Sequence, residues 1–269
     1  MLFSLEGKTM IISGASGDRP NAIVNLALEC GANVCFMSGN HKRVLQGLSY
    51  IDPKYKDHII GYAQNPQFRL ALNRELAPEI YKEDSTSQDV LRWIYERFGS
   101  IDIVVNGSGG GYARYTMENT DKDYWHHTAA APEDLYFNTM YALPYLEKSK
   151  APRVINITSD DGYRGGFFNN PACAAARGGI LALTKEMAKE LGPKGITVNC
   201  VMHSRIDGEG PDGSDAYLTE AEKNALTEAT PLGRICTKED VAGIVCFLGS
   251  DMASYINGAV IPVNGGLLS

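Results

Sequence analysis

No stretch of the sequence runs for the roughly 18 apolar, uncharged residues that a membrane-crossing helix needs. A membrane span is therefore not expected. The opening MLFSLEGKTMIIS has no basic region leading into a long apolar stretch, so a secretory signal is not expected either, and the chain reads as cytoplasmic. CxxC pairs and metal-ligand spacings are missing as well. The six cysteines, Cys30, Cys35, Cys173, Cys200, Cys236 and Cys246, are scattered, which predicts reduced thiols, no disulfide framework and no metal site. Basic residues are in deficit, 25 Lys and Arg against 32 Asp and Glu, and the formal net charge of -7 gives no broad attraction for nucleic acid or anionic lipid. Low-complexity linkers and internal repeats are absent too, so the 269 residues read as one domain.

What the chain does have is glycine and short β-branched runs. Glycine makes up 28 of the 269 residues without any collagen-like period, the mark of many tight turns. Lys8–Ser13, Asn33–Met37, Asp102–Asn106, Arg153–Thr158 and Ile196–Val201 read as strands, apolar throughout as in strands covered on both faces. Helical patterns at Asn21–Cys30, Ser87–Phe98, Glu133–Lys148, Ala172–Leu191 and Lys238–Leu248 alternate with them. This βαβα order predicts an α/β fold, a doubly wound, Rossmann-like parallel sheet with right-handed crossovers. Two regions are less regular. An extra segment around 44–83 leaves the third strand open between His58–Ala63 and Glu79–Lys82, and the Gly- and Asp-rich run Asp207–Thr219 reads as a mobile loop. In a doubly wound sheet the ligand crevice lies at the carboxyl ends of the strands, so the loops after Ser13, Asn106, Thr158 and Val201 are expected to meet there.

Those loops carry a family outline. Ser13 and Gly14 match the opening of a TGxxxGxG turn, NGSG at Asn106–Gly109 is similar to NNAG, and NITS at Asn156–Ser159 is similar to a strand that ends in an active-site serine. LTKEMAKELGPKGITVNCV and the closing VIPVNGG continue the match, so that nearly the whole chain resembles the short-chain dehydrogenase/reductase family. The resemblance implies an NAD(P) cofactor, hydride transfer at an alcohol or ketone, and a Ser, Tyr, Lys, Asn constellation. It also implies an oligomer built through helices that correspond to Glu133–Lys148 and Ala172–Leu191, where Leu181, Leu183, Met187 and Leu191 serve either an interface or the core.

Carried over residue by residue, the resemblance places the serine on Ser159 but the YxxxK pair on Cys173 and Arg177. The asparagine position falls on about Ala131, followed by Pro132, unless a one-turn gap brings Asn138 nearer. The second and third glycines of the first turn fall on Asp18 and Pro20. That turn works because bare backbone approaches a pyrophosphate while a helix N-terminus points free N–H groups at it. Asp18 adds a carboxylate there and Pro20 removes a donor, although both also suit a well-capped helix start. The remaining cofactor-binding candidates are Gly14, Ser16, Arg19, Asn106 and Gly107, with Lys42 and Arg43 able to offset phosphate charge. Ser38 stands where a ribose-binding acid would favour NAD, so any dinucleotide is expected to be NADP rather than NAD.

The proton relay changes too. A cysteine is intrinsically more acidic than a tyrosine, and Arg177 one helical turn away favours a thiolate at Cys173. Reach is the obstacle, since a thiol ends on the order of 4 Å short of where a phenol oxygen would sit and proton transfer needs contact at ~3 Å or through one water. Tyr163 or a bridging water is the expected substitute, giving Ser159, Cys173, Arg177 and Tyr163 as catalytic candidates. Each has a plainer role: Cys173 as a small filler, Arg177 paired with Asp160 or Asp161, Ser159 bonded to backbone, and His203 as hydrogen-bonded scaffold. These replacements point first to a catalytically impaired or non-catalytic subunit, in a homo-oligomer or a hetero-oligomer with an active relative. The alternatives are an NAD(P)-dependent alcohol/ketone oxidoreductase with a rearranged relay, and halohydrin-dehalogenase-like chemistry on a small molecule without nucleotide, in which Arg177 fits the pattern.

Overall fold

Seven short strands pair side by side, all parallel: β1 (Thr9–Ser13), β2 (Asn33–Ser38), β3 (Ile59–Ala63), β4 (Ile103–Gly107), β5 (Arg153–Ser159), β6 (Thr197–His203) and β7 (Val260–Val263). Their order across the sheet is β3-β2-β1-β4-β5-β6-β7, so the winding reverses between β1 and β4. The computed structural model describes residues 3–14, 18–38, 41–63, 87–107, 115–166, 170–206 and 218–268, with backbone alone at 18–20, 41, 43 and 63. Every residue of β1, β5 and β6 is buried, which is why these runs lack polar alternation.

Helices cover both faces. α1 (Asp18–Glu29) and α9 (Lys238–Gly249) lie on one, over Met10, Ile12, Val34, Phe36, Val105 and Ile155. The other face carries α3 (Ser87–Phe98), α5 (Ala131–Leu146) and α7 (Pro171–Leu191), over Ile11, Cys35, Val104 and Val154. Met10 and Ile12 point one way and Ile11 the other, as the two-residue period of a strand requires. Between these lie α2 (His41–Ser49), α4 (Lys122–Ala129), the single turn α6 (Asp161–Arg164) and α8 (Glu220–Ala229). Among the described residues no helix is long and apolar enough to cross a membrane, and no group of three His, Cys, Asp or Glu could hold a metal ion.

Local chemistry sets the helix ends. Asn170 caps α7 by accepting from the Cys173 N–H at 3.2 Å, with Pro171 at the first position, where its missing N–H costs nothing. α8 and α9 open with capping boxes, Thr219 with Glu222 and Thr237 with Asp240. Thr219 therefore belongs to a helix cap and not to a loop, while 207–217 of the expected mobile loop lie outside the described residues. The third strand is Ile59–Ala63, within the first of its two expected ranges; the other range lies outside the described residues. α2, α4 and α8 were not anticipated. Met187 and Leu191 face the core, and Leu181 and Leu183 are partly buried at its margin.

Candidate active site

The carboxyl ends of β1, β4, β5 and β6 converge, as the winding reversal predicts. Ser13 lies opposite Asn106, and Asn106 opposite Asn156. Asn106 donates through Nδ2 to Asn156 Oδ1 and to Thr139 Oγ1, both at 3.0 Å, and Asn156 Nδ2 donates to Thr184 Oγ1 at 2.9 Å. The threonine hydroxyls pass their protons to Leu135 O and Ile180 O. This buried polar chain pins α5 and α7 to the sheet directly beneath the site. Asn138 donates to Ser13 Oγ at 3.2 Å, so its amide is tied to the end of β1.

Gly14 has φ +66°, and a Cβ there would collide with Gly107 O; a Cβ on Gly107 would stand 2.7 Å from Ser13 O. Both glycines are thus demanded by the approach of the β1 and β4 ends, whatever binds beside them. α1 begins at Asp18, leaving the N–H groups of Asp18 and Arg19 at its free end while Pro20 has none. Ser16 lies outside the described residues, and so do the side chains of Asp18, Arg19 and Arg43.

Ser159 ends β5 and is buried, and its Oγ has no hydrogen-bond partner among the described residues. The expected backbone bond is not made. After it the chain turns into α6, which rests on α7 through glycine: a Cβ on Gly162 would collide with the backbone of Arg177 and Gly178. That contact presses two carboxylates into the interior. Asp161 binds the Arg177 guanidinium and lies 3.6 Å from Arg205 Nη2, all three buried; Asp160 Oδ2 accepts from Arg164 Nε at 3.2 Å. Of the two acids expected for Arg177, Asp161 takes the role.

Cys173 occupies the relay position, on α7 one turn before Arg177. Burial pushes its thiol up, and the nearby Arg177 charge does not cancel that. The expectation of a thiolate is corrected: desolvation wins over one guanidinium already engaged with Asp161. Tyr163 is corrected as well. It stands 71% exposed on the outside of α6, and the phenol that reaches Cys173 is Tyr124, on α4. Tyr124 Oη accepts from Asn170 Nδ2 at 2.6 Å, and its ring stacks on Tyr115 with centroids 3.5 Å apart. Sequence reasoning missed Tyr124, since only the tertiary approach of α4 to the start of α7 gives it a role. His203 Nδ1 lies 2.6 Å from Ser204 O and its own carbonyl accepts from Asp160 N–H, a scaffold position.

The seven-stranded parallel sheet, with its crevice where the winding reverses between β1 and β4, defines a Rossmann-like α/β protein. A family profile described as enoyl-(acyl carrier protein) reductase matches residues 76–268. An uncharacterized short-chain type dehydrogenase/reductase of Sinorhizobium fredii is 30% identical over 267 residues, 98% of each chain. The 3-oxoacyl-[acyl-carrier-protein] reductase of Pseudomonas aeruginosa is likewise 30% identical, over 98% of each chain. Among solved structures, a short-chain dehydrogenase/reductase from Serratia marcescens superposes with a TM-score of 0.80 at 25% identity, covering 98% of this chain and 99% of that one. The chain belongs to the short-chain dehydrogenase/reductase family.

Proposed function

We propose that this chain is a nicotinamide-dinucleotide-dependent oxidoreductase of an alcohol/ketone pair with a rearranged proton relay. The observation that carries this reading is the Ser159 hydroxyl, buried at the end of a central strand with no partner among the described residues. Leaving such a group unpaired costs about 1–3 kcal/mol, and a substrate oxygen meets the need. The named activity of the Pseudomonas aeruginosa relative, reduction of a 3-oxoacyl group, is of this class.

The residues present fit a dinucleotide in the main. Bare backbone at Gly14 and Gly107, the free N–H groups that open α1, and Asn106, whose buried Oδ1 has no partner among the described residues, border the strand ends; Ser16 and Arg19 follow Gly14 closely in the sequence. Pro20 weakens the phosphate seat by one donor. The dinucleotide when bound supplies or accepts the hydride. This chain's part is to polarise the substrate oxygen through Ser159 and to move one proton. The absence of a carboxylate at Ser38 favours NADP over NAD. Calorimetric titration with NADPH and NADH tests the reading: saturable binding, tighter for NADPH, is expected, and no binding of either overturns it.

One arrangement favours a second reading, a catalytically impaired or non-catalytic subunit. Arg177 is committed to Asp161 and Cys173 is held protonated, so neither takes over the Tyr–Lys pair. On this reading the chain works in a homo-oligomer or with an active relative, through surfaces such as exposed Tyr136 and Phe137 on α5. The same commitment of Arg177 argues against halohydrin-dehalogenase-like chemistry.

A further inference from the structure

We propose that the outer edge of β3 is a docking site for an extended acidic peptide segment, which adds to the sheet as a further strand and sets its carboxylates against Lys56 and Arg97. Three strands separate β3 from β5, which carries Ser159, so the site stands independently of the oxidoreductase reading. β3 ends the sheet order and pairs only with β2 among the described residues. Val34 N–H donates to His58 O at 2.8 Å, and Val34 is in register with Ile59. A parallel ladder bonds alternate residues of each strand, so His58, Ile60 and Tyr62 turn their peptide groups to β2, while the N–H and C=O of Ile59 and Gly61 turn outward. The outer edge therefore offers donors and acceptors that repeat every ~6.6 Å, the spacing a pairing strand needs.

A cleft of about 990 Å³, the open space at its mouth included, is lined by Ile59, Ile60 and Gly61 of this strand. Leu48 and Ile51 wall it on the face of the sheet that carries α1, and Trp93 walls it on the other. These three are half-buried, whereas the charged residues of the lining, Asp52, Lys56 and Arg97, are exposed. Asp52 is already engaged, its carboxylate 3.1 Å from Lys54 Nζ and accepting the Lys54 N–H at 2.9 Å. Neither Lys56 nor Arg97 has an ion-pair partner among the described residues. The cleft is thus cationic on a chain whose formal net charge is -7, so an acidic segment that the chain as a whole repels is favoured here. Backbone pairing supplies affinity, the two apolar walls take alternate side chains of the added strand, and the two cations select carboxylates. Charged groups also blunt an exposed edge against pairing of any kind, and a preference for acidic over basic strands separates the two roles.

The probe is a fluorescein-labelled Glu-Val-Glu-Val-Glu-Val amide, titrated with the full chain and read by fluorescence polarisation. Saturable binding is expected, about tenfold or more tighter than that of the Lys-Val-Lys-Val-Lys-Val counterpart. No saturable binding of the acidic probe, or equal binding of the two, overturns the proposal. A probe N-methylated at every residue cannot donate to the edge and is expected to lose its binding; retained binding overturns strand addition. Lys56→Glu combined with Arg97→Glu, both at exposed positions, is expected to reverse the preference so that the basic probe binds more tightly. A variant with an unchanged circular dichroism spectrum that still prefers the acidic probe, or binds neither, overturns the proposal. Amide exchange at Ile59 and Gly61, resolved by NMR, is expected to be fast in the free chain and about tenfold or more slower with the acidic probe bound. Amides already protected in the free chain mean that the edge is covered from within and overturn the proposal, as does binding that leaves both amides unprotected.

Discussion

Asp161→Ala is the sharpest probe of the buried charge cluster. The substitution removes the carboxylate that binds Arg177 and stands 3.6 Å from Arg205, and the two guanidinium side chains are only 8% and 9% exposed. Water cannot replace the lost charge at such burial. Removing one member of a buried ion pair costs about 3–5 kcal/mol, a large share of the roughly 5–15 kcal/mol that holds a domain folded. At about 2–4 °C per kcal/mol for a chain of this size, Tm should fall by roughly 6–20 °C. Urea unfolding followed by circular dichroism measures the free energy directly. Asp161→Leu combined with Arg177→Met removes both charges of the pair at once and should cost less than Asp161→Ala alone, because no uncompensated partner is created. Removing Asp161 also deletes a field that pushes the Cys173 thiol up, so the cysteine should react faster at a given pH. An Asp161→Ala variant within about 1 kcal/mol of wild type would refute the reasoning.

Asn156→Ala should cost about 2–4 kcal/mol, since it strips an acceptor from Asn106 and a donor from Thr184 inside the core; urea unfolding giving under about 1 kcal/mol contradicts the polar chain as a fastening. Asp240 is held at about 2 by Arg234 and by the Thr237 cap, below the ordinary carboxylate value of 3.8. A depressed folded value gives stability that is present above pH 3.8 and lost as the pH falls toward 2. The carboxylate is partly exposed, so solvent screening reduces the effect to roughly 1 kcal/mol or less. Comparing the acid unfolding of wild type and Asp240→Asn checks it: the two curves should converge below about pH 2, and a constant offset across that window refutes the assignment.

Five strands could be read from β-branched runs because each lies buried on both faces, where composition alone records the environment. The third could not be fixed, since two candidate segments were open and pairing with β2 is a long-range event. Ser159 was legible through its strand and its neighbours. Arg177 was legible as one half of a pair, but the choice between Asp160 and Asp161 needed the glycine contact that seats α6 on α7 and turns Asp160 toward Arg164. The thiol at Cys173 was misjudged because helical spacing reveals the nearby arginine and conceals the desolvation that outweighs it. Tyr124 left no local trace. Its significance depends on two helices far apart in sequence meeting over one asparagine.

The long helix α7 runs for 21 residues, or ~31 Å at the usual rise, and works as a stiff lever. One tip bears Cys173 and Arg177, the middle is bolted to the sheet through Thr184, and the far tip is held by Asn257, which donates to Ala188 O at 3.0 Å. Because the helix is buried at intervals from Ala172 to Leu191, its two tips are positioned by one continuous packed rod. Alterations around Asn257, remote from every reacting atom, would therefore be felt as a shift in how the sulfur and the guanidinium are presented.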